Sequence, residues 1–211
     1  MARVLASTLA AAGLALAGGA EARPDGHDGS ALSSGVVVGD VTPRSAVLWA
    51  RGDRGGSLRV TLFGGPHRRI EPIRVRAEDD WTGQVRLDGL TPARTYWYLV
   101  RFGRGRHSAF GSFRTPPAET EAATVRLAFG GDVAGQNVCR DAVEGFPILD
   151  TIRAWRPDVF VGLGDMIYAD NACAATGMYA NAQLAGAFGP AIDLAGFWAH
   201  WRYSREDPAS R

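Results

Sequence analysis

The sequence predicts a β sandwich followed by the start of an α/β domain, and three observations carry that expectation. Residues 34–117 break into short runs of alternating apolar and polar residues separated by turn formers. The Pro/Glu/Thr/Ala stretch 115–123 then interrupts the pattern with the composition of a linker. Beyond it, two short apolar runs, 125–129 and 158–163, flank a segment with 3.6-residue spacing, as in a βαβ unit that starts a parallel sheet.

In the first region, residues 35–39 and 45–51 flank the turn Thr42-Pro43-Arg44, and residues 57–63 alternate as a half-buried strand does. Further strands are expected around 70–77 and 83–87. The sharpest local signal is Leu90-Thr91-Pro92 followed by Thr95-Tyr96-Trp97-Tyr98 and Val100. It resembles the corner of fibronectin type III domains, where a Tyr after an L-x-P turn bonds its hydroxyl back to the preceding loop. Tyr96 takes that structural place, with Tyr98 and Val100 continuing the inward face, in a sandwich of about seven strands. No His, Asp and Glu cluster with ligand spacing lies here, so the module reads as structural or positioning. Asp79-Asp80 reads as a solvated loop pair, and His67 and His107, set among Arg and Gly, as exposed turn residues.

In the second region, the run from Val159 ends at Gly164-Asp165 and the run from Val125 ends at Gly131-Asp132. An apolar run without internal polar residues is how a fully buried parallel strand reads. Open α/β sheets build their sites at the C-terminal edges of such strands. Two carboxylates side by side there are half of a metal site; alternatively, Asp132 and Asp165 cap the segments that follow. Residues 146–154 have helical spacing, with Ile148, Leu149, Ile152 and Trp155 on the apolar face, and 178–188 and 194–203 also read as helices. His200, within a helical W-x-x-W pattern, reads as a packing or exposed residue and not as a ligand.

The chain has 211 residues, is 46% hydrophobic and carries a formal charge of +1. No basic excess argues for a nucleic-acid surface and no acidic run for a disordered tail. All 23 basic residues are Arg, which fits a GC-rich coding bias, although Arg also suits phosphate and carboxylate recognition. Met1-Ala2-Arg3, the uncharged run 4–17 and Ala20-Glu21-Ala22 have the form of a secretory signal peptide, with a retained anchor as the alternative. No twin-arginine pair precedes the run. After removal of residues 1–22 no transmembrane segment remains, and the expected location is periplasmic or secreted. In an oxidising compartment Cys139 and Cys173 most simply form a disulfide; a thiolate metal ligand is the alternative.

Phe129-Gly-Gly-Asp132 and Gly162-Leu-Gly-Asp165-Met-Ile-Tyr168-Ala-Asp170, behind a fibronectin-like module, resemble the alkaline phosphatase D (PhoD-like) family of the calcineurin-like metallophosphoesterase superfamily. The helix ending Trp198-Ala-His-Trp201-Arg-Tyr203 is also similar to the segment before that family's W-D-D-H-E motif. With the leader (1–22) and the linker (118–124) read from composition, the resemblance implies an N-terminal fibronectin type III-like domain (31–117) and an incomplete metallophosphatase domain (125–211). It also implies that Asp132 is the first metal ligand, that Asp165 bridges two metals, and that Tyr168 stands at an iron-type position. The implied cofactors are divalent or trivalent metals, Ca and Fe foremost with Mn or Zn possible, and the implied partner is a phosphate ester substrate. Hard carboxylates and a phenolate suit Fe(III), Ca or Mn better than a soft metal. Two metals about 3.5–4 Å apart would bring a bound water's pKa towards ~7 for in-line attack on phosphorus.

The sequence departs from that family in two respects. Val133-Ala134 follows Asp132 where the wider superfamily has x-His, and the later His-bearing motifs do not occur before Arg211. The general acid and the His ligands are therefore unassigned, and the expectation is a chain inactive by itself. A non-catalytic exported binding module with a degenerate phosphatase remnant is the alternative.

Overall fold

The computed structural model describes residue 32 and residues 34–103, 107–135, 137–186 and 188–210; the expected leader lies outside the described residues. Eight strands make up the first region: β1 (Val36–Gly39), β2 (Ser45–Arg51), β3 (Gly56–Phe63), β4 (Arg68–Arg69), β5 (Ile73–Val75), β6 (Thr82–Asp88), β7 (Thr95–Phe102) and β8 (His107–Arg114). They form two antiparallel sheets, β1-β2-β6 and β4-β3-β7-β8, with β5 also on β3. Of the strand expected over 70–77 only β5 forms; it pairs with Gly56–Leu58, and β4, just before that range, pairs with Thr61–Leu62, the two sharing the edge of β3 that β7 leaves free. His107 opens β8 and is half-buried, so it is a strand residue and not a turn residue.

Alternation puts Leu48 and Ala50 of β2, Leu58, Val60 and Leu62 of β3, Leu87 of β6 and Tyr96, Tyr98 and Val100 of β7 into one core. The Tyr96 hydroxyl accepts the Thr91 N–H at 2.8 Å, and its ring stacks on Phe113 at 5.6 Å. Thr115, at the start of the linker-like stretch, is fully buried. Its hydroxyl accepts from Arg94 N at 3.0 Å and donates to Thr91 O at 2.6 Å, closing the same corner. Tyr98 lies across from Gly111, whose missing side chain leaves room for the phenol. Burial pushes the Tyr98 phenol up to about 12.

Asp80 corrects the reading of 79–80 as a solvated pair. Asp79 is exposed, but Asp80 is buried, and its carboxylate takes Arg51 Nε and Nη2 at 3.0 and 3.1 Å and Arg202 Nη1 at 2.7 Å. The two guanidiniums give the buried carboxylate its counter-charge and its hydrogen bonds. The second guanidinium comes from residue 202, 122 residues away, a distance no local pattern reveals.

The second region holds β9 (Leu127–Gly130), α1 (Pro147–Trp155), β10 (Val159–Gly162) and α2 (Leu194–Arg205). β9 and β10 pair in parallel, Leu127 opposite Val159 and Gly130 opposite Gly162. The Asp158 carboxylate accepts Arg126 N at 2.8 Å and joins the strand starts. The expectation of fully buried strands fails here. Phe160 is buried, but Phe129 is 67% exposed and Leu127 50%, because a two-stranded ladder has no third strand or second layer over these side chains. On α1, Leu149 is buried with Phe146 and Ala209, while Ile148 and Trp155 of the expected apolar face stay exposed.

No helix forms over 178–188 among the described residues, contrary to the expectation from spacing. Ala180 takes a positive φ of 60°, and Gly177 and Gly186 weaken a helix further. The segment pairs sideways instead, through isolated bridges between Asp141 and Gln183, Cys173 and Gly186, and Thr176 and Ala182. α2 forms as its pattern predicts, with the Asp193 carboxylate accepting Gly196 N at 2.8 Å as its N-terminal cap. His200 is a packing residue: its ring nitrogen lies 3.1 Å from Gly189 O, and its ring meets Phe188 edge-on. Arg202 to Asp80 and Arg205 Nη2 to Ser34 O (3.2 Å) hold α2 against the sandwich.

Candidate metal centre

The parallel register sets the C-terminal ends of β9 and β10 side by side, and each is followed by Gly-Asp. The two turns touch through backbone. Leu163 N donates to Gly130 O at 2.9 Å, and a Cβ on Gly131 would come within 2.8 Å of Gly164 O, so glycine is required there. Asp132 and Asp165 both take left-handed backbone, φ 54° and 50°. Asp tolerates this region better than most residues, yet it remains sparsely populated, and such outliers cluster at functional sites. Neither Asp caps a helix, since α1 begins after Phe146 and α2 after Asp193.

Asp132 and Asp165 are both exposed and lie near enough for their charges to interact. The hydrogen bond from Asp132 and its charge hold the Asp165 carboxyl above the usual carboxylate range, with a small contribution from burial and from Asp170. Tyr168 is half-buried, and its ring fills the space beside Gly135. Its hydroxyl donates to Asp132 Oδ1 at 3.4 Å, a long bond. Burial first, then the neighbouring carboxylates, raise its phenol above the ordinary value, against a backbone bond with Ala134. The structure thus brings Asp132, Asp165 and Tyr168 together. Among the described residues no three His, Cys, Asp or Glu side chains converge as a metal cluster.

Support for the two turns comes from the expected disulfide and from residues that spacing did not single out. Cys139 and Cys173, seven and eight residues past the two carboxylates, are disulfide-bonded and tie the loops together. Around the bridge, Gln183 Oε1 accepts Cys139 N at 3.0 Å and its Nε2 donates to Asn137 Oδ1 at 2.7 Å. Asn137 in turn accepts Ala174 N at 2.9 Å and donates to Thr176 O at 2.9 Å. Asp141 accepts the N–H groups of Glu144 and Val143 and the amide of Asn181, which hold its carboxyl below the usual range. Arg140 Nη1 donates to Tyr203 O at 2.6 Å, so the loop after Asp132 rests on α2.

Residues 18–117 match the family model of the PhoD-like phosphatase N-terminal domain. The N-terminal portion of this chain is PhoD-like. A solved structure of PhoD superposes on 88% of the chain with a TM-score of 0.68 and 18% identity. At that coverage the match extends past residue 117. The chain spans 37% of the length of that PhoD structure. A fibronectin type III domain from the human KIAA0970 protein matches 47% of this chain and 91% of its own at 16% identity and a TM-score of 0.32. The sensor domain of the anti-sigma factor RsgI4 of Pseudobacteroides cellulosolvens covers 38% of this chain and 89% of its own at 14% identity and 0.33. None of the curated proteins matches the chain. No helix among the described residues is long and apolar enough to cross a membrane.

Proposed function

We propose that this chain is the N-terminal part of an exported, metal-dependent phosphoric ester hydrolase of the alkaline phosphatase D type. The observation that carries the reading is the pair Asp132 and Asp165, set on touching turns at the ends of adjacent parallel strands. Two crowded carboxylates that no ion pair reaches among the described residues are a donor set for a hard cation, and Tyr168 supplies a third oxygen beside Asp132. The residues present therefore fit one end of a metal site, for Ca, Fe or Mn, with Zn less suited to all-oxygen donors. When bound, such metals supply Lewis acidity towards phosphoryl oxygens and water. The chain's own residues place the two carboxylates, hold the Tyr168 hydroxyl against Asp132, and fix both turns through the Cys139–Cys173 bridge.

The same donor set limits what this polypeptide does alone. Calcium takes about 6–8 oxygen ligands, more than two carboxylates and a phenol provide. The expected outcome with p-nitrophenyl phosphate and its bis ester, in the presence of Ca and Fe, is no turnover by this chain. Turnover that Asp165→Asn abolishes would sink the claim of inactivity while supporting the site. Turnover unaffected by Asp165→Asn would remove the site from the mechanism.

A further inference from the structure

The β4-β3-β7-β8 sheet with β5 is chemically one-sided. Its strands carry Arg59, Arg68, Arg69, Arg74, Arg101 and Arg114 and not one Asp or Glu, although the whole chain is at +1. Alternation on β3 sends Leu58, Val60 and Leu62 inward and Arg59, Thr61 and Phe63 outward; on β7 it sends Leu99 and Arg101 outward. The antiparallel register places Arg59 opposite Arg101 on that outer face. Like charges directly opposed across a ladder, with Cβ atoms about 4.5–5.5 Å apart, destabilise it. Arg69 lies opposite Thr61, two residues along from Arg59, and extends the basic row.

These three guanidiniums line one concavity of 390 Å³, floored by Thr61 and Leu99 and walled by Phe63 and His67, whose rings meet at 5.2 Å. Elsewhere in the sandwich three arginines pair with carboxylates: Arg51 with Asp80 and Arg54 with Asp53 at 3.0 Å, and Arg86 with Asp88 at 2.8 Å. Among the described residues, no such ion pair reaches Arg59, Arg69 or Arg101; Arg59 donates from Nη1 to Gly103 O. Repulsion is thus built into an outer face where Ser or Thr would serve the fold equally well.

We propose that this face is an anion site for a chain of linked phosphate groups, held by Arg59, Arg101 and Arg69. Guanidinium forks bind phosphate and carboxylate bidentately. A planar carboxylate satisfies one fork, whereas a tetrahedral phosphate presents oxygens to two forks on opposed strands. Successive phosphates then continue along the row to Arg69. The site lies on the sandwich and requires neither Asp132 nor Asp165.

The test is calorimetric titration of the full chain with sodium tripolyphosphate, with EDTA present so that no metal bridges the ligand to the carboxylates. Binding should occur at about 20 mM salt and weaken several-fold at about 150 mM, where screening is stronger. Arg59→Thr/Arg101→Thr should weaken it at least about tenfold, the loss expected when two charge-assisted contacts go, while the unliganded melting midpoint holds or rises. Should that variant fail to fold, Arg69→Ser on the short strand β4 should weaken binding at least about threefold. Asp132→Asn/Asp165→Asn should bind as wild type does. Absence of binding at low salt, or unchanged affinity in folded Arg variants, would overturn the proposal. So would binding to phosphatidylglycerol vesicles without binding to tripolyphosphate, which would assign the face to a membrane surface.

Discussion

The sandwich and the β9–α1–β10 segment use the same apolar residue types and reach opposite degrees of burial. Leu48, Leu87 and Val100 are inaccessible to solvent because a facing sheet covers them. Leu127 and Phe129 form an equally regular ladder, yet stand open to solvent. A run of apolar residues therefore specifies a strand, and only a second layer converts it into core. The site repeats the contrast. Asp80 is enclosed by two guanidiniums, whereas Asp132 and Asp165 are exposed and crowd one another. The closed carboxylate holds parts of the fold together; the open pair is available to a ligand.

Matched truncations put the contrast in burial to the test. Leu48→Ala should cost about 2–5 kcal/mol, the range for emptying a packed site, whereas Leu127→Ala should cost under about 1 kcal/mol because its side chain is already half in water. Denaturant melts of the two variants measure the difference, and equal costs would refute it. A smaller effect distinguishes the core at high pH. Tyr98 has its phenol raised from 10.0 to about 12, so the unfolded chain loses this proton first. Stability is complete below pH 10 and declines as pH rises through 12, by at most about 2–3 kcal/mol for a two-unit shift. Tyr98→Phe should flatten that alkaline decline; a slope identical to wild type would show that the phenol titrates as it does in water.

Period-two alternation and the L-x-P-Tyr corner made the sandwich legible in the sequence, since both signals are local. The Gly-Asp turns were legible as well, because glycine before Asp at a strand end marks backbone that larger residues resist, a close approach at Gly131 and a positive φ at Gly164. Four features escaped for physical reasons. Asp80 owes its burial to Arg202, far along the chain. Residues 178–188 have helical spacing but lose the helix to cross-bridges with Asp141 and Cys173. Asn137 and Gln183 act through backbone groups brought to them by the Cys139–Cys173 bridge, and no spacing announces that role. The row formed by Arg59, Arg69 and Arg101 needed strand register, because in the sequence these residues are simply three of 23 arginines.

Thermal melting with and without added Mn2+ or Ca2+, on wild type and Asp165→Asn, tests the central claim that the open pair is a cation site. The raised Asp165 carboxyl means that deprotonating it beside Asp132 disfavours the folded state as pH rises above the carboxylate range. At neutral pH, metal-free Asp165→Asn should therefore melt at or above the wild-type midpoint. Added metal should raise the wild-type midpoint, since a ligand that binds only the folded state stabilises it, and should leave Asp165→Asn unmoved. A lower midpoint for metal-free Asp165→Asn, with a metal response equal to that of wild type, would contradict the account.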